Sequence, residues 1–183
     1  MSDQERELKV LLTKENYEKL CTLIPCDEQR LQINTYYDTP DQALKARGFA
    51  CRIRETQGKY NLTIKKPLDS ITKYEYEKEV SAPTVSELDP EDRSWMLEKI
   101  GLGDIELHPF VTFETIRRIT QLENAELSLD ETHFPKHTDY EIEYEYRKDH
   151  DGISVFNQIL ERAGLQYKKN CMSKLARAVQ DLF

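Results

Sequence analysis

Paired cysteines are missing from this 183-residue chain. Its four thiols, Cys21, Cys26, Cys51 and Cys171, form no Cys-x-x-Cys and no zinc-type spacing. That spacing argues against a structural zinc site, and in a charged chain without a signal-peptide stretch it predicts reduced, partly buried thiols. A basic excess is missing too. Lys and Arg number 26 against 34 Asp and Glu, for a net charge of −8. Nonspecific binding to a nucleic-acid polymer or a membrane surface is therefore not expected, although a local basic cavity fits within that balance. No apolar run is long enough to span a bilayer, and the start, Met-Ser-Asp-Gln-Glu-Arg-Glu, lacks the apolar stretch of a signal peptide. A cytoplasmic location is the expectation. There is no repeat, low-complexity tract or linker, so residues 1–183 read as a single domain. No histidine, serine or cysteine constellation suggests a covalent intermediate. His133 and His137 flank Pro135 in a turn and read as surface residues.

What is abundant is charge in alternation. In Glu5-Arg6-Glu7-Leu8-Lys9, the residues Glu5, Glu7 and Lys9 share one parity, and Leu8, Val10 and Leu12 share the other. As a strand, this sets three charged groups about 7 Å apart along one face and an apolar stripe on the opposite face. The same separation recurs along the chain. Arg52 and Arg54 oppose Phe49, Cys51 and Ile53, and Asn61, Thr63 and Lys65 oppose Leu62 and Ile64. Lys73, Glu75, Glu77 and Glu79 oppose Tyr74, Tyr76 and Val80. Glu141, Glu143 and Glu145 oppose Tyr140, Ile142, Tyr144 and Tyr146. About eight strands are predicted in all, with further runs at 32–38, 109–120 and 126–134. Helices are predicted over 13–24, with Thr13 as N-cap, over one or two segments of 83–102 interrupted at Pro90, and over 153–163 and 172–182.

A half-buried sheet with one solvated face explains each strand singly, but not the density of charge on one parity. A closed antiparallel barrel explains both. Its interior is charged, its apolar outside is packed by helices, and closure leaves no strand edge exposed. The fold class is then α+β, mainly β. A lumen holding charges of both signs must be wet and balanced. A polyanion with a divalent metal supplies that balance: arginines and lysines bind phosphoryl oxygens, and carboxylates hold the metal that bridges to them.

Glu5-x-Glu7-x-Lys9 resembles the Glu-x-Glu-x-Lys signature of the CYTH domain, the triphosphate tunnel metalloenzyme family. The later motifs resemble the family in their order across nearly the whole chain. They run through Tyr36-Tyr37-Asp38-Thr39-Pro40, Arg52-Ile53-Arg54, Thr63-Ile64-Lys65, Lys73-x-Glu75-x-Glu77, Arg117, Asp130, Glu141-Ile142-Glu143 and Ser173-Lys174. The resemblance implies an eight-stranded antiparallel tunnel that hydrolyses or cyclises a triphosphate with Mg²⁺ or Mn²⁺. It implies metal ligation by Glu5, Glu7, Glu141 and Glu143, with Asp130 helping, and phosphate binding by Lys9, Arg52, Arg54, Lys65, Lys73 and Arg117. Lys174, on the last helix, resembles a residue that closes the site over the substrate. Glu75 and Glu77 either contact metal-bound water or neutralise neighbouring lysines, and Glu77 is assigned with Lys174 to the chemical step. One departure stands out: where the family often has Lys-x-Arg, this chain reads Thr115-Ile116-Arg117.

The expected function is metal-dependent hydrolysis of a small triphosphate, inorganic triphosphate first and a nucleoside or thiamine triphosphate next. The alternatives are a class IV-type adenylate cyclase and a non-catalytic module that binds polyphosphate or nucleotide for regulation. The sequence carries no signal for oligomeric state.

Overall fold

The computed structural model describes residues 3–182. Eight strands are present: β1 (Gln4–Leu12), β2 (Glu28–Asp38), β3 (Ala50–Thr56), β4 (Lys59–Pro67), β5 (Thr72–Val80), β6 (His108–Gln121), β7 (Ala125–His133) and β8 (Thr138–Tyr146). Four α-helices accompany them: α1 (Lys14–Leu23), α2 (Pro90–Ile100), α3 (Gly152–Glu161) and α4 (Lys174–Gln180). The strands close into an antiparallel barrel in the order β1-β5-β4-β3-β2-β6-β7-β8. Among the described residues, no helix is long and apolar enough to cross a membrane.

Backbone contacts group the chain into two compact units. The first contains Gln32–Glu114 with the opening residues, and the second runs from Glu5 to Leu31 and from Thr115 onward. In the first unit, the β3–β4 turn is made by Gln57 and Gly58, both at positive φ (53° and 76°). That is the twist a two-residue hairpin needs. Register then puts Arg52 opposite Thr63 and Tyr36, Arg54 opposite Asn34 and Asn61, and Lys65 opposite Glu75. All of these share one face. The other face carries Tyr37, Cys51, Ile53, Leu62, Ile64 and Val80, which pack with Met96 and Ile100 of α2 into a buried core.

The region 83–102 divides at Pro90 as expected: a short 3₁₀ turn over Val85–Glu87 precedes it, and α2 begins at Pro90 itself. Asp89 caps α2 by accepting from the Asp92 N–H (2.8 Å), and Pro90 stands in the first turn, where a missing N–H costs nothing. Gly101, at φ 74°, ends the helix as expected.

In the second unit, β1 pairs with β8, with Leu8 opposite Tyr144 and Val10 opposite Ile142. This apolar face is the one the helices cover. Tyr17 of α1 meets Tyr140 at a ring distance of 4.9 Å, and Phe156 of α3 meets Tyr144 at 5.5 Å. The tyrosines of β8 are thus packing residues, as their parity predicts. Thr13 caps α1 and Ser173 caps α4, each hydroxyl accepting from the N–H three residues on (3.2 Å). Ser173 sets α4 to begin at Lys174, two residues later than the apolar pattern alone suggests.

Candidate active site

The charged face of the second unit is built by pairing. Across β1, β8 and β7, Lys9 stands opposite Glu143, Glu141 opposite Asp130, and Glu7 opposite Glu145. Asp130, Glu141 and Glu143 each offer an oxygen, and these lie within 4.8 Å of one another. Asp130 is fully buried and Glu141 is 1% exposed. Three carboxylates so close and so dry require cations. Lys174, the first residue of α4, reaches in from the helix: its Nζ lies 2.9 Å from Asp130 Oδ2 and 2.7 Å from Glu143 Oε1, and it also bonds Glu141 Oε1. Arg117 of β6 grips Asp130 with two parallel bonds (2.8 and 2.6 Å) and also bonds Glu143.

The two glutamates are driven apart electrostatically. Burial, helped by the neighbouring Glu143, holds the Glu141 carboxyl above its ordinary range, with Lys174 and Arg177 opposing. Burial alone would raise Glu143 too, but Lys174 and Arg117 bring it well below the ordinary value. The Lys174 ammonium is stabilised in turn. Burial would lower it, and Asp130, Glu141 and Glu143 together raise it well above an ordinary lysine.

Not every carboxylate assigned to metal joins this group. Among the described residues, the cluster comprises Asp130, Glu141 and Glu143. Glu7 is buried on the same face, with its Oε1 accepting from Lys9 Nζ at 2.6 Å. Glu5 is half-buried further along β1, where Arg147 feels its charge. The C-terminal segment closes over β1. Asn170 accepts from the Lys9 N–H (2.8 Å) and donates to the Glu7 carbonyl (2.9 Å).

The first unit holds a second charged set. Arg52 and Lys65 converge on Glu75, at 3.7 and 2.8 Å, and Arg54 Nε donates to Asn34 (2.9 Å). Glu77 accepts from the Thr63 hydroxyl at 3.3 Å and is largely exposed; Lys73 is half-buried on the same strand. Tyr36 sits inside this set, stacked on Phe113 at a ring distance of 5.5 Å. Burial alone would raise its phenol, but Arg52, Arg54 and Lys65 bring it below the ordinary tyrosine value. An oxygen ringed by three cations is what a phosphoryl group would experience there.

The family model for the CYTH domain matches residues 3–177. The chain belongs to the CYTH domain family. It is 28% identical over 169 residues to YjbK of Bacillus subtilis (strain 168), a triphosphatase candidate by name, with 90% of this chain and 89% of that protein covered. Its fold is similar to that of HpAC1 from Hippeastrum, an adenylyl cyclase candidate with a dominant triphosphatase activity. That match has a TM-score of 0.77 at 25% identity, covering 97% of this chain and 96% of the other. It is also similar to an adenylate cyclase candidate from Bacillus halodurans, with a TM-score of 0.78 at 24% identity and coverage of 96% and 98%.

In this CYTH chain, the departure at Thr115 has a local explanation. Thr115 is 1% exposed, and its hydroxyl pairs with that of Thr132 across β6 and β7 at 3.1 Å. The position is spent on a neutral hydrogen bond, two residues from Arg117. Reasoning from sequence missed one buried cation, Arg177, which contacts Glu141 from α4. The available signal was its spacing: Arg177 lies three residues after Lys174 and so shares a helix face with it.

The donor set suits a hard divalent cation. Asp130, Glu141 and Glu143 are oxygen ligands held close together, with no thiolate or imidazole in the group. A divalent cation held at these oxygens would compete with the Lys174 ammonium for Glu141 Oε1 and Glu143 Oε1.

Proposed function

We propose that this CYTH protein is a metal-dependent triphosphatase acting on a small triphosphate, inorganic triphosphate first, with Mg²⁺ or Mn²⁺. The observation that carries this reading is the convergence of Asp130, Glu141 and Glu143 on one point, on strands of the same barrel that bears Arg52, Arg54 and Lys65. The names and activities of similar CYTH proteins support hydrolysis.

In the first unit, Arg52, Arg54, Lys65 and Lys73 are the residues we assign to phosphoryl oxygens, where they neutralise spread charge; in the second unit, Lys9 and Arg117 are assigned the same role. Tyr36 presents a phenol to the same oxygens. Glu5 and Glu7 extend the acidic face, and Glu7 fixes the Lys9 ammonium in position. A divalent cation would be held by Asp130, Glu141 and Glu143 and would supply charge neutralisation and Lewis-acid polarisation of the phosphoryl group. Glu77 is the exposed carboxylate we assign to holding the attacking water. Lys174, released from part of its carboxylate set, closes over the substrate and stabilises charge on the leaving phosphate. The acceleration then comes from positioning and preorganised charge rather than from a covalent intermediate.

Phosphate release from a panel of inorganic triphosphate, thiamine triphosphate and nucleoside triphosphates tests this, with Mg²⁺, Mn²⁺ or chelator present. Metal-dependent release from at least one member is expected. Full turnover in excess chelator would overturn the metal reading, and cyclic AMP as the main product from ATP would make the protein a cyclase.

A further inference from the structure

Arg177 is 5% exposed and lies in the middle of α4, where a surface helix of seven residues has little reason to bury a guanidinium. Its Nη1 donates to Glu141 Oε2 at 2.8 Å and bonds the Met172 carbonyl, and its Nε lies 2.8 Å from Asp139 Oδ2. The guanidinium also sits over the Phe134 ring, 5.7 Å from its centre. Cys171 Sγ donates to the same Glu141 oxygen, Oε2, at 3.2 Å. Burial pushes that thiol up to about 12, so it remains a donor. Two donors thus hold Oε2, and Lys174 bonds the other oxygen, Oε1, on the side of Asp130 and Glu143.

From this division of the two oxygens, we infer that Arg177 is a positioning residue for metal binding. It pins Oε2 so that Oε1 stays directed at the carboxylate cluster. The inference rests on the metal reading above. It concerns a residue that touches neither metal nor phosphate, and that acts only through Glu141. The guanidinium, held in place by the Asp139 carboxylate and the Met172 carbonyl, brings one nitrogen to Oε2, and together with the Cys171 thiol on the same oxygen it restricts rotation of the Glu141 carboxylate.

Two effects of Arg177 have opposite signs, and this makes the inference testable. As a mere positive charge near the cluster, Arg177 repels a divalent cation, and its removal would tighten metal binding. As a positioning residue, its removal loosens Glu141 and weakens binding. The experiment is Mn²⁺ titration followed by electron paramagnetic resonance on the full chain, with melting temperature recorded in parallel. Arg177→Met is expected to raise the Mn²⁺ dissociation constant about 10- to 100-fold, the usual range for losing such a partner. Arg177→Lys should recover part of the loss. The Mn²⁺ concentration for half-maximal phosphate release should rise in step, while KM for triphosphate at saturating Mn²⁺ stays within about twofold, because no phosphate contact is lost. Should Arg177→Met fail to fold, Asp139→Asn loosens the fork with the guanidinium retained, and a several-fold weakening of Mn²⁺ binding is expected. Unchanged or tighter Mn²⁺ binding in the folded variants overturns the inference, even if the melting temperature drops. Wild-type protein with no saturable Mn²⁺ site, or a site unaffected by Glu143→Gln, overturns the metal reading itself and this inference with it. Those two arms do not involve Arg177, so the failures are separable.

Discussion

Lys174→Met separates the electrostatic role of the last helix from its packing role. The methionine keeps most of the stem volume and removes only the ammonium. In the folded protein that ammonium is shared among Asp130, Glu141 and Glu143, with a side-chain exposure of 13%. Its loss leaves three buried carboxylates facing Arg117 and Arg177, one negative charge in excess. Removing one partner of a buried ion pair costs about 3–5 kcal/mol. The residual arginines and the partial exposure argue for the lower end, about 3 kcal/mol, which is a fall of roughly 6–12 °C in melting temperature for a chain of this size. The pH of the assay matters. Because the Lys174 pKa is raised on folding, its contribution is fully present below the ordinary lysine value and is lost only as pH rises through the folded one. Near neutral pH, the whole effect is therefore measured. In chelator, the variant should melt well below the wild type. In excess Mg²⁺ both proteins gain stability by mass action, about 2.7 kcal/mol for each at about a hundred times its own dissociation constant, so the gap should narrow by the difference between their metal affinities. The variant should also bind the metal more tightly than the wild type, because no ammonium competes for Glu141 Oε1 and Glu143 Oε1. An equal gap with and without metal, or none in chelator, would refute the reasoning.

Three other outcomes are expected from the same geometry. Arg52→Ala removes a charge-assisted contact worth about 1.5–3 kcal/mol, so kcat/KM for triphosphate should fall roughly 10- to 150-fold, mainly through KM; steady-state kinetics with a lowered melting temperature and unchanged kcat/KM would make it a structural partner of Glu75 instead. Mn²⁺ affinity should rise with pH across the weakly acidic range, because Glu141, held above its ordinary value, must lose its proton to bind; Glu143, held well below, should contribute no slope there, and a pH-independent affinity in Mn²⁺ titrations would contradict this. Met96→Ala empties a fully buried position in the helix-covered core and should cost about 2–5 kcal/mol by chemical denaturation, with Mn²⁺ affinity unchanged.

The fold was legible because alternation is a local signal. Wherever a strand carries apolar residues on one parity, as Leu62 and Ile64 or Leu8 and Val10 do, both its existence and its buried face can be read without any partner. Strand bounds become illegible where that signal stops. The first residues of β2, Glu28 to Leu31, carry a Glu28–Arg30 pair and a leucine that is 51% exposed, so nothing in their pattern marks a strand. Pairing with neighbours makes them one, and pairing is not written locally. Pro90 illustrates the reverse case. A proline breaks a helix or starts one, and Asp89 as a cap decides which.

The site was legible to the level of faces and no further, for an electrostatic reason. Parity puts Glu7, Lys9, Glu141 and Glu143 on charged faces but does not say which carboxylate meets which cation. Register supplies that, and its consequences are specific. Glu7 falls to Lys9, while Glu141 and Glu143 are drawn together with Asp130. Those three carboxylates are matched by three cations, Lys174, Arg117 and Arg177, of which two come from one short helix whose sequence, Lys-Leu-Ala-Arg, looks like an ordinary amphipathic turn. Counted without Asp139, which shares Arg177 from outside the cluster, a set of three and three is neutral as it stands. A divalent cation added to it must displace an ammonium or leave two positive charges in a dry place, and a bound polyanion cancels that excess. On the proposed function, metal and triphosphate affinity are then expected to be coupled through Lys174, the one cation of the three held by a flexible stem, whereas Arg117 is fixed by its fork on Asp130 and Arg177 by its contacts with Glu141, Asp139 and the Met172 carbonyl.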